Sequence, residues 1–302
     1  MSTRLLVPGA RDGAELMERA VKGRSLWDDA RRRLLRNKAA VASMLVLGLL
    51  VLAALIGPHL VPYSYDAINK EHVWAPPLTY GHLLGADSLG RDLLARLLTG
   101  LRVSLAIGLV ATTVSLVIGV AWGAAAGYLG GQLDEAMMRI VDVLYSLPFI
   151  FFVILLMVTF GSNIILIFVA IGAVEWLTMS RIVRGQTLTL KHKEFVEAAR
   201  AAGLGTGAII ARHIVPNLLG PVVVYVTLTI PAVILAESFL SFLGLGVQPP
   251  MASLGTLIAN GAQDMELAWW LLVFPSAVMV VTLMCFNFIG DGLRDAIDPK
   301  DR

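Results

Sequence analysis

The chain has 302 residues, 57% of them hydrophobic and only 15% charged, with a formal net charge of +2. Such a composition is too apolar for an ordinary soluble domain and makes lipid the solvent, while the small net charge gives no sign of a nucleic-acid partner. An integral membrane protein is the class that remains, and in that class the placement of Lys and Arg says more than their sum.

The first 38 residues hold ten Lys or Arg. That is far more than the n-region of a cleavable signal, so the first apolar run is expected to be a retained anchor. Ser25 followed by Asp28 has the form of a capping pair that would start an amphipathic helix running from Trp27 toward Arg36; a basic stop-transfer flank fits equally well. A bilayer core about 30 Å thick needs about 20 apolar residues per helix. Six segments meet or approach that length: 39–56, 103–126, 140–160, 164–179, 218–243 and 269–289. The expected fold is an all-α, polytopic bundle of six transmembrane helices. It divides into a cytoplasmic segment at 1–38, a first anchor at 39–60, an outer loop at 61–102, a core with five spans at 103–290 and a cytoplasmic tail at 291–302.

Arg31, Arg32, Arg33, Arg36 and Lys38 abut the first span and put the N-terminus in the cytoplasm, to which six spans return the C-terminus. The connection between the fourth and fifth spans carries Arg181, Arg184, Lys191, Lys193, Arg200 and Arg212, whereas 244–268 has no Lys or Arg. In the outer loop Lys70, Arg91, Arg96 and Arg102 are matched in number by Asp66, Glu71, Asp87 and Asp92. Leu89, Leu93, Leu94, Leu97, Leu98 and Leu101 recur there at helical spacing, opposite Arg91 and Arg96, so this helix is expected on the membrane or against a partner.

Gly119, Gly123 and Gly127 share one face of the second span and permit close helix packing. Pro148, Pro221, Pro231 and Pro275 interrupt later spans and can kink them. Two carboxylates lie in apolar segments, where a charge near the bilayer centre costs about 2.5–3.5 kcal/mol. Glu175 is near enough to a span end to reach water. Glu237, followed by Ser238 and Ser241, lies deeper; a place in a translocation path, an interhelical hydrogen bond and a proton relay are all open to it.

The chain has no GxxxxGK[ST] phosphate loop, no HExxH, and a single cysteine, Cys285, read as a core residue. Gly203, Gly205 and Gly207 follow a charged helix rather than a strand, so a dinucleotide site fails on context. No catalytic residues, bound cofactor or metal are expected. The segment 193–217, KEFVEAARAAGLGTGAIIARHIVPN, is informative in another way. Lys193 to Ala202 are strong helix formers, with Phe195, Ala198, Ala199 and Ala202 on one face and Glu194, Glu197 and Ala201 on another, and Gly203 can cap the end in a left-handed conformation. A short Ala-faced cytoplasmic helix of this kind suits docking in a partner's groove.

Glu197-Ala198-Ala199, Gly203 and Pro216 resemble the EAA loop of binding-protein-dependent ABC importer permeases, with His213 and Val215 where that family has Ile and Leu. The segment 85–92, GADSLGRD, is similar to the GTDxxGRD stretch of the peptide and nickel permeases, with Ala86 for Thr. SFLSFLGLG at 238–246, GDGLRDAIDP at 290–299, the opening GRSLW at 23–27 and the KDR tail at 300–302 bring the chain nearest the C-type subunits of oligopeptide permeases. This resemblance implies a type I ABC importer permease in the bacterial inner (cell) membrane. The implied partners are a homologous B-type permease, two cytoplasmic ABC ATPases that hold ATP and Mg, and an external peptide-binding protein. It also implies that Phe195, Glu197, Ala198, Ala199, Arg200, Gly203 and Pro216, in a cytoplasmic loop at about 180–217, couple the path to the ATPases. Dipeptide or nickel transport is the near alternative, and an ion-driven carrier using Glu237 or a non-transporting scaffold the distant ones.

Overall fold

Asn37 separates the first two helices. Its side-chain oxygen accepts from the Ala39 and Ala40 N–H groups at 3.1 and 3.2 Å, which satisfies donors that a helix start leaves orphaned. Helix α1 (Leu26–Arg36) therefore ends and α2 (Lys38–Leu60) begins around one residue. The computed structural model of the protein describes residues 26–161 and 164–297. Ser25, the rest of the opening motif before Leu26, and the tail from Asp298 lie outside the described residues.

Asp92 starts α3 (Leu93–Leu129) by accepting from the Ala95 N–H at 2.8 Å. This helix is 37 residues long and unites the expected outer-loop helix with the second span. Nothing around Arg102 caps or breaks it, so the helical pattern simply continues. Three of its outer leucines are turned into this chain rather than toward lipid or a partner as expected. Leu93, Leu97 and Leu101 are buried against Leu254, Leu257 and Leu271 of this chain, and Arg96 is buried beside Asp87, 3.4 Å away. An arginine can leave water there because a carboxylate goes with it. Leu89 precedes the helix and is exposed.

The expected third span is broken. Helices α4 (Gly131–Ser146) and α5 (Phe149–Phe160) meet at a bend of 82°. Pro148 lacks an N–H and holds Leu147 in extended backbone (φ −77°, ψ 131°), so the helix cannot run through. Pro221, Pro231 and Pro275 all lie inside continuous helices. The fourth span, α6 (Ile164–Leu190), continues beyond Met179 to Leu190.

Close approach of α3 and α6 sets the register of the core. A Cβ on Gly119 would lie 2.5 Å from the Met179 side chain, one on Gly123 would meet the Ser180 carbonyl oxygen, and one on Gly127 would lie 2.9 Å from the Arg184 oxygen. The partner advances along α6 as the glycine advances along α3, so the two helices run parallel. The intervening residues must then cross back once, and α4 with α5 makes that single bent crossing.

After α6 come α7 (Glu194–Ala201), the short α8 (Thr206–Ile209), a π-helical turn at Ile210–Ile214 and α9 (Val215–Phe242), with Pro216 in its first turn. Ser253 and Thr256 form a reciprocal capping box that starts α10 (Leu254–Gln263), and α11 (Trp270–Ile297) ends the described chain. The last helix includes Asp291 to Ile297, which the sequence assigned to a tail. Gly290 approaches Leu228 and Gly220 approaches Ile297, so α11 runs antiparallel to α9; Gly292 touches Ala40 and Leu34. One end of the bundle thus gathers α1, α7, α8 and the end of α11, and the opposite end gathers residues 61–92 and α10. Five of these stretches are long and apolar enough to cross a membrane, six if the bent pair counts as one.

Candidate coupling loop and interior carboxylates

The loop helix ends as its sequence dictates. Gly203 takes φ +81°, its N–H donates to the Arg200 carbonyl at 3.0 Å, and the Leu204 N–H reaches back to the Ala199 carbonyl at 3.2 Å. This is a Schellman closure, with Leu204 folded onto the same apolar cluster as Ala199. At the other end Lys191 Nζ donates to the Gly127 carbonyl at 3.1 Å, tying the loop to the last turn of α3.

The buried face of α7 differs from the one expected. Val196 and Ala199, three residues apart, pack with Ala124, Met179, Val183, Ile209, Ile214 and Leu218, so Ala199 belongs to the chain's own core. Phe195, Glu194, Glu197, Ala198, Arg200 and Ala202 are exposed, as are Gly203 and Pro216. Arg200 also lies over the Tyr128 ring, 5.9 Å from its centroid. An apolar ring with carboxylates beside it is therefore presented outward on a helix whose back is fixed to α3, α6 and α9.

Two arginines that the sequence marked only as positive flank are clamps. Arg184 Nε and Nη2 bind both oxygens of Asp134 at 2.6 and 2.7 Å, and Arg181 donates to Asp142 at 2.8 Å while stacking on Tyr145, 4.3 Å from its ring centre. They fasten α4 alongside α6. Charge reversal at Asp134 (Asp134→Arg) is expected to lower stability by about 1–3 kcal/mol, and a second change, Arg184→Asp, to recover part of it. A double-mutant cycle on the unfolding midpoint in detergent checks the coupling; additive effects would show that the pair contributes nothing.

Glu237 is fully buried. Its Oε1 accepts from Ser241 at 2.6 Å and from Ser253 at 2.7 Å, while Oε2 has no partner among the described residues. Ser253 is the N-cap of α10, so this carboxylate joins α9 to α10; Ser104 of α3 adds a hydroxyl that accepts from the Leu254 N–H at 3.0 Å. Ser238 donates to the Ile234 carbonyl of its own helix, and its backbone lies against Gly255. Ser253 carried a readable signal, the Ser-x-x-Thr spacing of a cap, but nothing in the sequence linked it to Glu237.

At the opposite end lies a second polar cluster that sequence reasoning missed. His82 is buried between Asp92, 2.8 Å from Nδ1, and His72, 3.0 Å from Nε2, with Tyr63 stacked on its ring. Asp87 accepts from the Leu89 and Arg91 N–H groups and from Arg91 Nε. The GADSLGRD stretch thereby folds into a turn that delivers Asp92 to cap α3.

Comparison with known proteins agrees with this layout. Residues 116–302 match the family described as binding-protein-dependent transport system inner membrane component, and residues 25–77 match the N-terminal TM domain of oligopeptide transport permease C. The chain is 57% identical over 283 residues to the oligopeptide transport system permease protein OppC of Escherichia coli K12, covering 93% of this chain and 94% of that protein. The OppC protein of Haemophilus influenzae is 53% identical (94% and 92% covered), and the dipeptide transport system permease protein DppC of Bacillus subtilis 45% (92% and 87%). Inward facing structures of the MetNI methionine ABC transporter share the fold, with TM-scores of 0.53 and 0.54 at 20% and 21% identity, over 67% of this chain and 96% of the matched chain. With its apolar spanning helices, its outward-facing loop helix and near full-length relatives, the chain belongs to the family of inner membrane components of binding-protein-dependent transport systems.

Proposed function

We propose that this chain is one of two permease subunits of an ATP-driven importer of oligopeptides. The other would be a homologous B-type permease. The observation that carries the reading is the α7 helix, anchored at its back through Val196 and Ala199 and exposed at Phe195, Glu197 and Ala198. The basic end of the bundle faces the cytoplasm in this reading, where two ABC ATPases bind ATP and Mg and receive the loop; an external binding protein delivers peptide to the opposite end. This chain itself binds no nucleotide and performs no chemistry.

A zwitterionic peptide cannot enter hydrocarbon without losing water from its charges and amides, so the two permeases enclose a polar path between them. Closure of the ATPases carries α7 as a rigid body. The shared cluster passes that displacement to α3, α6 and α9 together, and the path changes sides. Glu197 holds the docked loop by charge-assisted hydrogen bonds, and Glu237 keeps α10 moving with α9.

Affinity purification of the chain from native membranes, with the co-purifying subunits identified by mass spectrometry, tests the assembly. The ATPases are expected with the parent chain and at least about tenfold depleted with Glu197→Arg, a loss equal to about 1.4 kcal/mol. Equal recovery from both would remove α7 as the docking element. In the same membranes Glu237→Gln keeps an acceptor for Ser241 and Ser253 and is expected to leave the pH dependence of uptake unchanged, where an ion-driven carrier would change it. The 45% identity to a dipeptide permease makes dipeptides the second cargo to assay, by competition against a pentapeptide.

A further inference from the structure

The bend at Pro148 opens a cavity of about 410 Å³ between α4, α5, α6 and α9, walled by Tyr145, Pro148, Phe152, Glu175, Thr178 and Ala236. Its volume is within the roughly 300–1,000 Å³ of small-molecule sites. Glu175 is half-buried there and has no hydrogen-bond or ion-pair partner among the described residues. The arginines nearest along α6 are committed elsewhere, Arg181 to Asp142 and the Tyr145 ring, Arg184 to Asp134. Arg181 is also about 9 Å further along the helix axis. Among the described residues no cation therefore neutralises a carboxylate that an apolar wall partly strips of water, and the cavity is left seeking a positive group.

We infer that Glu175 and the cavity at the α4–α5 break form a way-station for an ammonium group of the peptide cargo. This rests on the peptide-importer reading above. The ammonium donates to the Glu175 carboxylate, the Tyr145 and Thr178 hydroxyls meet the adjoining peptide amides, and Phe152 with Ala236 receives an apolar side chain. A space of this size holds the leading residues of a peptide and not its whole length, so one site serves cargo of many lengths. Two sources can supply the ammonium, the peptide's N-terminus and a lysine side chain.

The test uses the assembled importer carrying Thr178→Cys, with the buried Cys285 of the parent as background. Methanethiosulfonate reagents of equal size, one ending in trimethylammonium and one in sulfonate, are applied, and labelling of the introduced thiol is read by mass spectrometry. With Glu175 present the cationic reagent is expected to react about tenfold faster, and with Glu175→Gln the two rates should agree within about twofold. Glu175→Asp, which keeps the charge, should keep the bias and serves if the Gln variant does not assemble. Protection by trialanine alone assigns the N-terminus; protection also by N-acetyl-Ala-Lys-Ala assigns any ammonium. Equal protection by N-acetyl-trialanine, no protection by any of the three, or no charge bias in Thr178→Cys with Glu175 intact overturns the site. Peptide uptake by the parent, without the introduced cysteine, is measured alongside: uptake by the parent without bias in Thr178→Cys rejects the way-station and leaves the importer reading standing, whereas no peptide uptake by the parent rejects the cargo.

Discussion

Gly123→Leu is expected to prevent accumulation of folded protein. A side chain on Gly123 runs into backbone, the Ser180 carbonyl oxygen and the Arg184 N at 2.9 Å, neither of which can rotate aside. Overpacking a fitted interface costs about 1–3 kcal/mol when side chains can shift, and more when two helix backbones must part. Parting α3 from α6 would also displace Arg184 from Asp134, so the fastening of α4 goes with it. Gly123→Ala should be an intermediate case, its unfolding midpoint in detergent falling by roughly 2–4 °C per kcal/mol. Gly48→Leu is the control, because Gly48 has no atom within 4 Å of its would-be Cβ. Comparable amounts of the Gly123→Leu and Gly48→Leu proteins in the membrane would show that the glycine face does not set the packing.

The second large effect is functional. Gly203→Val leaves the bundle intact, since the space around Gly203 is open, but it forces a β-branched residue into φ +81°. The left-handed conformation costs about 1–2 kcal/mol for a residue with a Cβ, Asn and Asp being the partial exceptions. The loop can escape that cost only by undoing the Schellman closure, which lifts Leu204 from the cluster beneath α7 and loosens the lever. Uptake per permease is expected to fall at least about tenfold, the equivalent of 1.4 kcal/mol, while ATP hydrolysis persists without transport. Gly203→Asn, which tolerates the same backbone, should retain uptake within about threefold. Both rates are read on one vesicle preparation; uptake at the parent level by Gly203→Val would separate the loop's geometry from coupling.

Much of this was legible from local pattern. Apolar length located the spans, the run 193–203 announced a helix and its stop, and three glycines spaced by four marked a packing face. Other features needed the partner surface. The leucines of 93–101 were rightly read as lying on a helix, though Leu89 falls before its start, and what Leu93, Leu97 and Leu101 met was α10 and α11, more than 150 residues on in the case of Leu101 and Leu254. Arg96, read as the solvent side, went inside because Asp87 was waiting there. Within α7 a run of alanines gave too little contrast to tell the docked face from the free one, and Val196 decided it by its bulk.

What the sequence determined by itself is what depends on composition and short spacing: a membrane solvent, the number of apolar stretches, the bias of positive charge, and a capped helix between two of them. Those properties are fixed by residues a few positions apart. The tertiary structure alone decided that the third crossing bends at Pro148 while helices continue through Pro221, Pro231 and Pro275. It alone joined Arg184 to Asp134 and Glu237 to Ser253, and left Glu175 in a cavity without a partner among the described residues. The reason is physical. A buried charge is acceptable only where its counter-group arrives, and which group arrives is settled by how helices distant in sequence pack, not by the residues on either side of it.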